Sequence, residues 1–93
     1  MPEINNDEII TEVFFWLKKV GNKYENSCIE YQALKLTNNA KCQFVEIEIE
    51  KNGKDLIYKI VATGTKQKLL LLKFMMDAWL QGAMFKPQFE TEK

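Results

Sequence analysis

Histidine and arginine are absent from this 93-residue sequence, and serine occurs once, at Ser27. Without histidine there is no Ser-His or Cys-His pair to activate a nucleophile, and no imidazole to act as a general base. Without arginine there is no planar fork that holds a carboxylate or a phosphate through two parallel hydrogen bonds. These absences argue against an enzyme, so we predict a non-catalytic protein that has no catalytic residue and no cofactor.

Cysteine is scarce as well. Cys28 and Cys42 have no CxxC spacing and no histidine to complete a tetrahedral zinc site, so we predict no metal centre. Unpaired cysteine is commonly buried, and we therefore expect two buried thiols, with a cross-strand disulfide as the alternative. No apolar signal segment follows a basic start, and Lys73, Asp77 and Gln81 interrupt the apolar run near the C-terminus. We expect an intracellular protein, cytoplasmic or nuclear, that does not span a membrane.

The composition fits one folded domain without excess charge. The 13 lysines balance 13 acidic residues, and 46% of the chain is hydrophobic. A chain of this length builds one hydrophobic core, so we assign residues 1–93 to a single domain. Its core is expected over about 6–85, with frayed tails at 1–4 and 86–93. Zero net charge is atypical of proteins whose affinity comes mainly from neutralising phosphates.

Hydrophobic spacing predicts an α+β fold with the element order α-β-β-β-α, in which two helices pack on one face of a three-stranded antiparallel sheet. The first helix is expected over about 6–20, because apolar residues recur there at helical spacing after an Asn5 and Glu8 capping pair. The first strand is expected over 28–36. It is the first of three strands that are expected to form an antiparallel meander.

The second half of the chain has clearer signals. Strands are expected over 42–50 and 56–63, joined by a hairpin at Asn52-Gly53, because both turn residues tolerate positive φ. Thr65 is the expected N-cap of a second helix that ends before Pro87.

The second helix has more apolar surface than one sheet covers, since its apolar arc exceeds that of an ordinary surface helix. Packing of the first helix beside it explains the excess in one interpretation, and an intermolecular surface explains it in the other. Phe15 also falls on the polar side of the first helix, and the third strand is expected at a sheet edge that pairs with a second copy. The predicted protein interface comprises Phe15, Ile57, Lys59, Val61, Leu70, Leu71, Phe74 and Met75.

Three stretches are similar to the double-stranded RNA-binding domain family. The segment 42–49 looks like that family's second strand, Asn52-Gly53 like its hairpin, and Thr65-Lys66-Gln67-Lys68-Leu69 like the start of its second helix. With the predicted element order, the resemblance covers about residues 6–82. It implies duplex RNA contacts from lysines at the start of the second helix and from the loop between the first two strands.

The RNA-contacting positions of that family are only partly kept here. The loop over residues 37–41 has neither the proline nor the histidine of the family's Gly-Pro-x-His motif. Of three helix lysines Lys66 is kept, while Gln67 and Leu70 take the other two places. This pattern resembles the third domain of Dicer partner proteins, which homodimerises and binds protein helices. It implies a homodimer paired through the third strand, and a Dicer-like or other RNA-processing protein as partner.

Two functions are consistent with these features. The first is a protein–protein interaction and dimerisation domain, an adaptor in RNA silencing or RNA processing whose binding of double-stranded RNA is weak or absent. The alternative is a weak double-stranded RNA binder whose contacts come from four lysines. These are Lys41, Lys66, Lys68 and Lys73. Affinity for duplex RNA that falls steeply with salt indicates the second function, because each phosphate contact adds to the salt dependence.

Overall fold

The computed structural model describes residues 8–83 and 85–87. Within these residues the order of elements is β1 (Ile10–Lys18), α1 (Asn26–Asn39), β2 (Gln43–Asn52), β3 (Asp55–Gly64), α2 (Lys66–Ala83) and β4 (Lys86–Pro87). The strands form one antiparallel sheet in the order β2-β3-β1-β4. This β-α-β-β-α-β order is the ferredoxin-like arrangement.

The α+β class, with two helices on one face of an antiparallel sheet, is confirmed. Alternate residues of a strand point to opposite faces, and Trp16, Tyr58 and Ile60 point to the face where both helices lie. Ile29 of α1 and Leu72 of α2 are fully buried in the same cluster of side chains. The core therefore fills the layer between the sheet and the two helices.

The first predicted helix is wrong, because residues 10–18 form strand β1. Phe14 and Trp16 point toward the core, while Phe15 and Leu17 point to the opposite face. Apolar residues on both faces remove the alternation by which a strand is recognised, and the remaining pattern also fits helical spacing. The aromatic and β-branched side chains of this segment nevertheless favour a strand.

The first predicted strand is also wrong, because residues 28–36 lie inside helix α1. Ile29, Ala33, Leu36 and Thr37 are buried, and their spacing of three and four residues places them on one side of a helix. Thr37 satisfies its buried hydroxyl by donating a 2.7 Å hydrogen bond to the Ala33 carbonyl one turn earlier. Polar and apolar residues also alternate in part of this segment, and that alternation is what favours a strand when the sequence is taken alone.

The later elements agree with their predictions. β2 and β3 form the predicted hairpin, but its turn lies one residue later than predicted, at Gly53-Lys54, because Asn52 pairs with Asp55 as the last residue of β2. Of the two predicted turn residues only Gly53 has positive φ, at 66°, which favours glycine. Helix α2 begins after Thr65, whose Oγ1 accepts a 3.3 Å hydrogen bond from the Lys68 N–H. The local turn and capping signals therefore identify this half of the fold correctly.

The third predicted strand does not lie at a sheet edge. It corresponds to β3, which is paired with β2 on one side and β1 on the other. The predicted homodimer contact through this strand is therefore wrong, because neighbouring strands already use its backbone groups. β3 is interior because β1 lies beside it, whereas the sequence pattern predicts a helix for the β1 segment.

The end of α2 leads back to the sheet. Pro87 pairs with Trp16 and Lys86 with Leu17, so the predicted frayed tail over 86–93 is corrected at its first two residues. The remaining predicted tail residues, 1–4 and 88–93, lie outside the described residues. No helix in the described part of the chain is long and apolar enough to cross a membrane.

The two cysteines differ in their surroundings, and both are free thiols. Cys42 is buried after α1, and burial raises the pKa of its thiol. Cys28 is exposed on α1, so the expectation of a second buried thiol is wrong. A Cβ at Gly64 would lie 3.0 Å from the Cys42 Sγ, so a larger residue there would require the thiol to shift by a few tenths of an ångström.

Candidate functional site

The outer sheet face, which we define as the face opposite the helices, is apolar across β1 and β3. Val13 pairs with Val61, Phe15 with Lys59, and Leu17 with Ile57, and all six side chains point away from the helices. Val61 is buried among its neighbours, whereas Val13 is exposed. Four predicted interface residues therefore come together here, namely Phe15, Ile57, Lys59 and Val61. Phe15 reaches this surface from a strand and not from the predicted helix.

A row of acidic side chains borders the outer sheet face along β2. Glu46, Glu48 and Glu50 are exposed there, opposite Val61, Lys59 and Ile57 of β3. Lys59 Nζ lies 3.9 Å from Glu48 Oε1, with both side chains about half exposed, so this pair contributes about 1 kcal/mol or less. The outer sheet face thus combines an apolar centre with an acidic border.

Helix α2 carries a second apolar surface, which we call the α2 ridge and define as Leu70, Leu71, Phe74 and Ala78. Leu70 is 50% exposed, Leu71 49% and Phe74 73%, and Ala78 is exposed as well. At about 100° per residue, these positions lie opposite the buried stripe of the helix. That stripe consists of Leu69, Leu72, Met76, Leu80 and Ala83.

Helix α1 does not cover the α2 ridge. The two helices contact each other, yet Leu70, Leu71 and Phe74 keep about half or more of their surface exposed. The interpretation in which a neighbouring helix covers the whole apolar excess is therefore wrong. Met75 differs from the other predicted interface residues of α2, because it is partly buried and packs against the core.

The lysines predicted to contact RNA fall into two pairs near the start of α2. Lys66 and Lys73 line a shallow hollow together with Phe14 and Leu70. Lys41 and Lys68 line a second hollow, together with Cys42 and Thr65. All four lysines are exposed. Lys41 follows helix α1 at a φ of 64°, so it does not lie in a loop between two strands as predicted.

Sequence reasoning missed an aromatic cluster at the other end of the core. Its rings are those of Trp16, Tyr24, Tyr58, Trp79 and Phe85. The Tyr58 hydroxyl donates a hydrogen bond to the Asn26 side-chain oxygen, and burial, with a smaller effect of Glu30, raises the pKa of Tyr58. The cluster members come from five separate segments, so no local pattern in the sequence signals the contact.

The thiol of Cys42 and the carboxylates of β2 lie in different surroundings. Cys42 is buried beside Gly64, whereas the carboxylates of β2 are exposed to water. Among the described residues, no group of three or more potential ligands is arranged to hold a metal ion. The outer sheet face and the α2 ridge can both make apolar contacts with another chain.

Comparisons with known proteins give the fold. No family model matches the sequence, and no curated protein is similar to it at a significant level. A solved structure of a protein described as a putative glycine cleavage system transcriptional repressor is similar to 91% of this chain, with a TM-score of 0.62 and 13% sequence identity. This chain spans 49% of the length of that one. The chain therefore shares its fold with about half of that repressor structure.

Proposed function

We propose that this protein is a non-catalytic interaction domain that self-associates through one apolar surface and offers a second apolar surface to a protein partner. The observation that carries the proposal is the exposure of Phe74, at 73%, beside Leu70 and Leu71 on α2. A phenylalanine that keeps this much surface in water gains free energy when another chain covers it. Clusters of such residues are typical of interaction sites.

The outer sheet face supports the second part of the proposal. It lies on the layer opposite the helices, so a chain bound there does not obstruct one bound to the α2 ridge. Glu46, Glu48 and Glu50 border it with negative charge, which complements a partner that carries basic residues beside an apolar segment. A domain with two such surfaces can act as an adaptor between two chains.

The setting in RNA silencing or RNA processing belongs to the same proposal. It is supported by the segments over 42–49 and 65–69, which form a strand and a helix start, and by the hairpin turn that begins at Gly53, as the resemblance to the double-stranded RNA-binding domain implies. Residues 10–39 follow a different order, because β1 precedes α1. The support therefore comes from the second half of the domain alone, and the family assignment stays a prediction.

Self-association is the first expected result. In sedimentation velocity over a micromolar concentration series, the protein should shift from 10.9 kDa toward twice that mass. The shift should persist at high salt, because apolar contacts are not screened as charged contacts are. A 10.9 kDa monomer throughout the series would contradict the proposed function.

Weak binding of duplex RNA is the second candidate, and the exposure of all four lysines near the start of α2 favours it. We expect the double variant Lys66→Ala with Lys68→Ala to weaken binding in a gel-shift titration. The salt slope should fall by about one for each phosphate that the variant no longer neutralises. The matched control is Lys23→Ala with Lys54→Ala, which removes the same charge from loops away from the start of α2. Equally weakened binding in both double variants would argue against a defined RNA site.

A further inference from the structure

We infer that two copies of this chain pair through their α2 helices in antiparallel orientation, about a two-fold axis that passes near Phe74. This inference rests on the proposed self-association and specifies the surface and the geometry. The occupant of the α2 ridge is thus a second copy of the chain. The spacing of apolar residues on α2 and the charges beside them both favour this geometry.

The apolar residues of the α2 ridge are self-complementary in this orientation. Leu70, Phe74 and Ala78 follow one another at intervals of four residues, and all are exposed. An antiparallel pair centred on Phe74 places Leu70 opposite Ala78 of the second copy and Phe74 against its own counterpart. A large side chain therefore meets a small one on both sides of a central aromatic contact, so the helices can approach closely.

The charges beside the ridge select the antiparallel orientation. Lys73 lines the hollow that faces β1, and Asp77, one turn later, lies on the same flank of α2. In the antiparallel pair these flanks lie side by side, and Asp77 of the second copy is level with Leu71 of the first. Leu71 and Lys73 are two residues apart, so at 1.5 Å per residue Asp77 of the second copy lies about 3 Å along the axis from Lys73 of the first. The long lysine side chain can span this separation. Symmetry makes two such Lys-Asp pairs, and they outweigh the single approach of Lys73 to its own counterpart, which is level with Met75 and also about 3 Å away along the axis.

Other pairings are less favourable on the described surface. A parallel α2 pair related by a two-fold axis would place the two Lys73 and Asp77 flanks on opposite sides, where they do not meet. Pairing through the edge of β2 would align Glu46, Glu48 and Glu50 with the same row in the second copy, and directly opposed like charges destabilise strand pairs. β3 is interior to the sheet and has no free edge.

A charge-swap experiment tests the orientation. In Lys73→Asp, and separately in Asp77→Lys, each cross-helix pair becomes a pair of like charges, and we expect self-association about tenfold weaker than that of the wild type. In a mixture of the two variants every such pair again joins Asp to Lys, so they should form a heterodimer with affinity near the wild-type value. Sedimentation velocity with one variant fluorescently labelled measures this affinity. A mixture that associates no better than either variant alone overturns the antiparallel geometry.

A second comparison tests the surface itself. Phe74→Lys should abolish self-association, while Tyr31→Lys, a similar change at an exposed aromatic residue of α1, should leave it unchanged. Thermal melts establish that both variants are folded. If the wild type self-associates and folded Phe74→Lys does so equally well, the α2 pairing is overturned while the proposed function survives. If the wild type is monomeric at every concentration, the proposed function fails as well.

Discussion

Replacing Leu72 with lysine should unfold the domain, whereas the same replacement at Leu70 should leave it folded. Leu72 is 0% exposed in the core, so lysine there buries an unpaired ammonium group at a cost of about 4 kcal/mol or more. That cost is comparable to the total stability of about 5–15 kcal/mol for an ordinary domain. Leu70 is 50% exposed, and we expect its substitution to change the free energy of unfolding by about 0.5 kcal/mol or less.

The two substitutions control for each other. Both lie in α2, and leucine and lysine have similar helix propensities, so a difference in stability reports burial and not helix formation. Circular dichroism shows whether Leu72→Lys is folded, and urea unfolding gives the free energies of the wild type and of Leu70→Lys at concentrations below those of self-association. Equal destabilisation by the two substitutions would show that Leu70 is a core residue and would remove the α2 ridge from the proposal.

The folded Leu70→Lys variant also separates the two candidate functions. It should weaken self-association, because Leu70 belongs to the α2 ridge. Combined with Gln67→Lys it restores the three lysines that the RNA-binding family carries at the start of its second helix. Tighter binding of duplex RNA with a steeper salt dependence would support the RNA candidate. Unchanged RNA affinity in the folded double variant would argue against carrying the family's contacts over to these positions.

Trp16→Ala is expected to cost about 3–5 kcal/mol, the range for removing a large aromatic side chain from a packed core. Trp16 is buried on one side of the aromatic cluster, paired with Tyr58 across the sheet and 5.2 Å from Trp79 between ring centroids. Its indole N–H has no hydrogen-bond partner among the described residues, so the destabilisation comes from reduced apolar packing and not from a broken hydrogen bond.

Urea unfolding of Trp16→Ala gives the free energy, and the near-ultraviolet circular dichroism should lose intensity as the aromatic cluster loosens. Tyr31→Ala is the matched control, because Tyr31 is an aromatic residue that is 63% exposed on α1. Its substitution should change stability by about 0.5 kcal/mol or less. A Trp16→Ala variant as stable as this control would contradict the placement of β1 at the centre of the sheet.

The sequence by itself determined the second half of the fold, because the signals there are local. Gly53 accommodates the positive φ of a tight hairpin turn, and the Thr65 hydroxyl caps the following helix by accepting a hydrogen bond from the N–H three residues later. The buried stripe of α2, which includes Leu72 and Met76, repeats at intervals of three and four residues. These features require no knowledge of which element packs against them, and the excess apolar surface of α2 is visible in the sequence for the same reason.

Only the tertiary structure decided the first half. Residues 10–18 are apolar on both faces, because β1 lies inside the sheet with the core on one side and the outer sheet face on the other. Apolar residues on both faces remove the alternation that identifies a strand, and helical spacing then fits by coincidence. The outer sheet face itself joins Phe15 to Lys59 and Val61 through pairing between strands that are far apart in the sequence. Contacts of that kind depend on the register of the sheet, which no single segment of the sequence specifies.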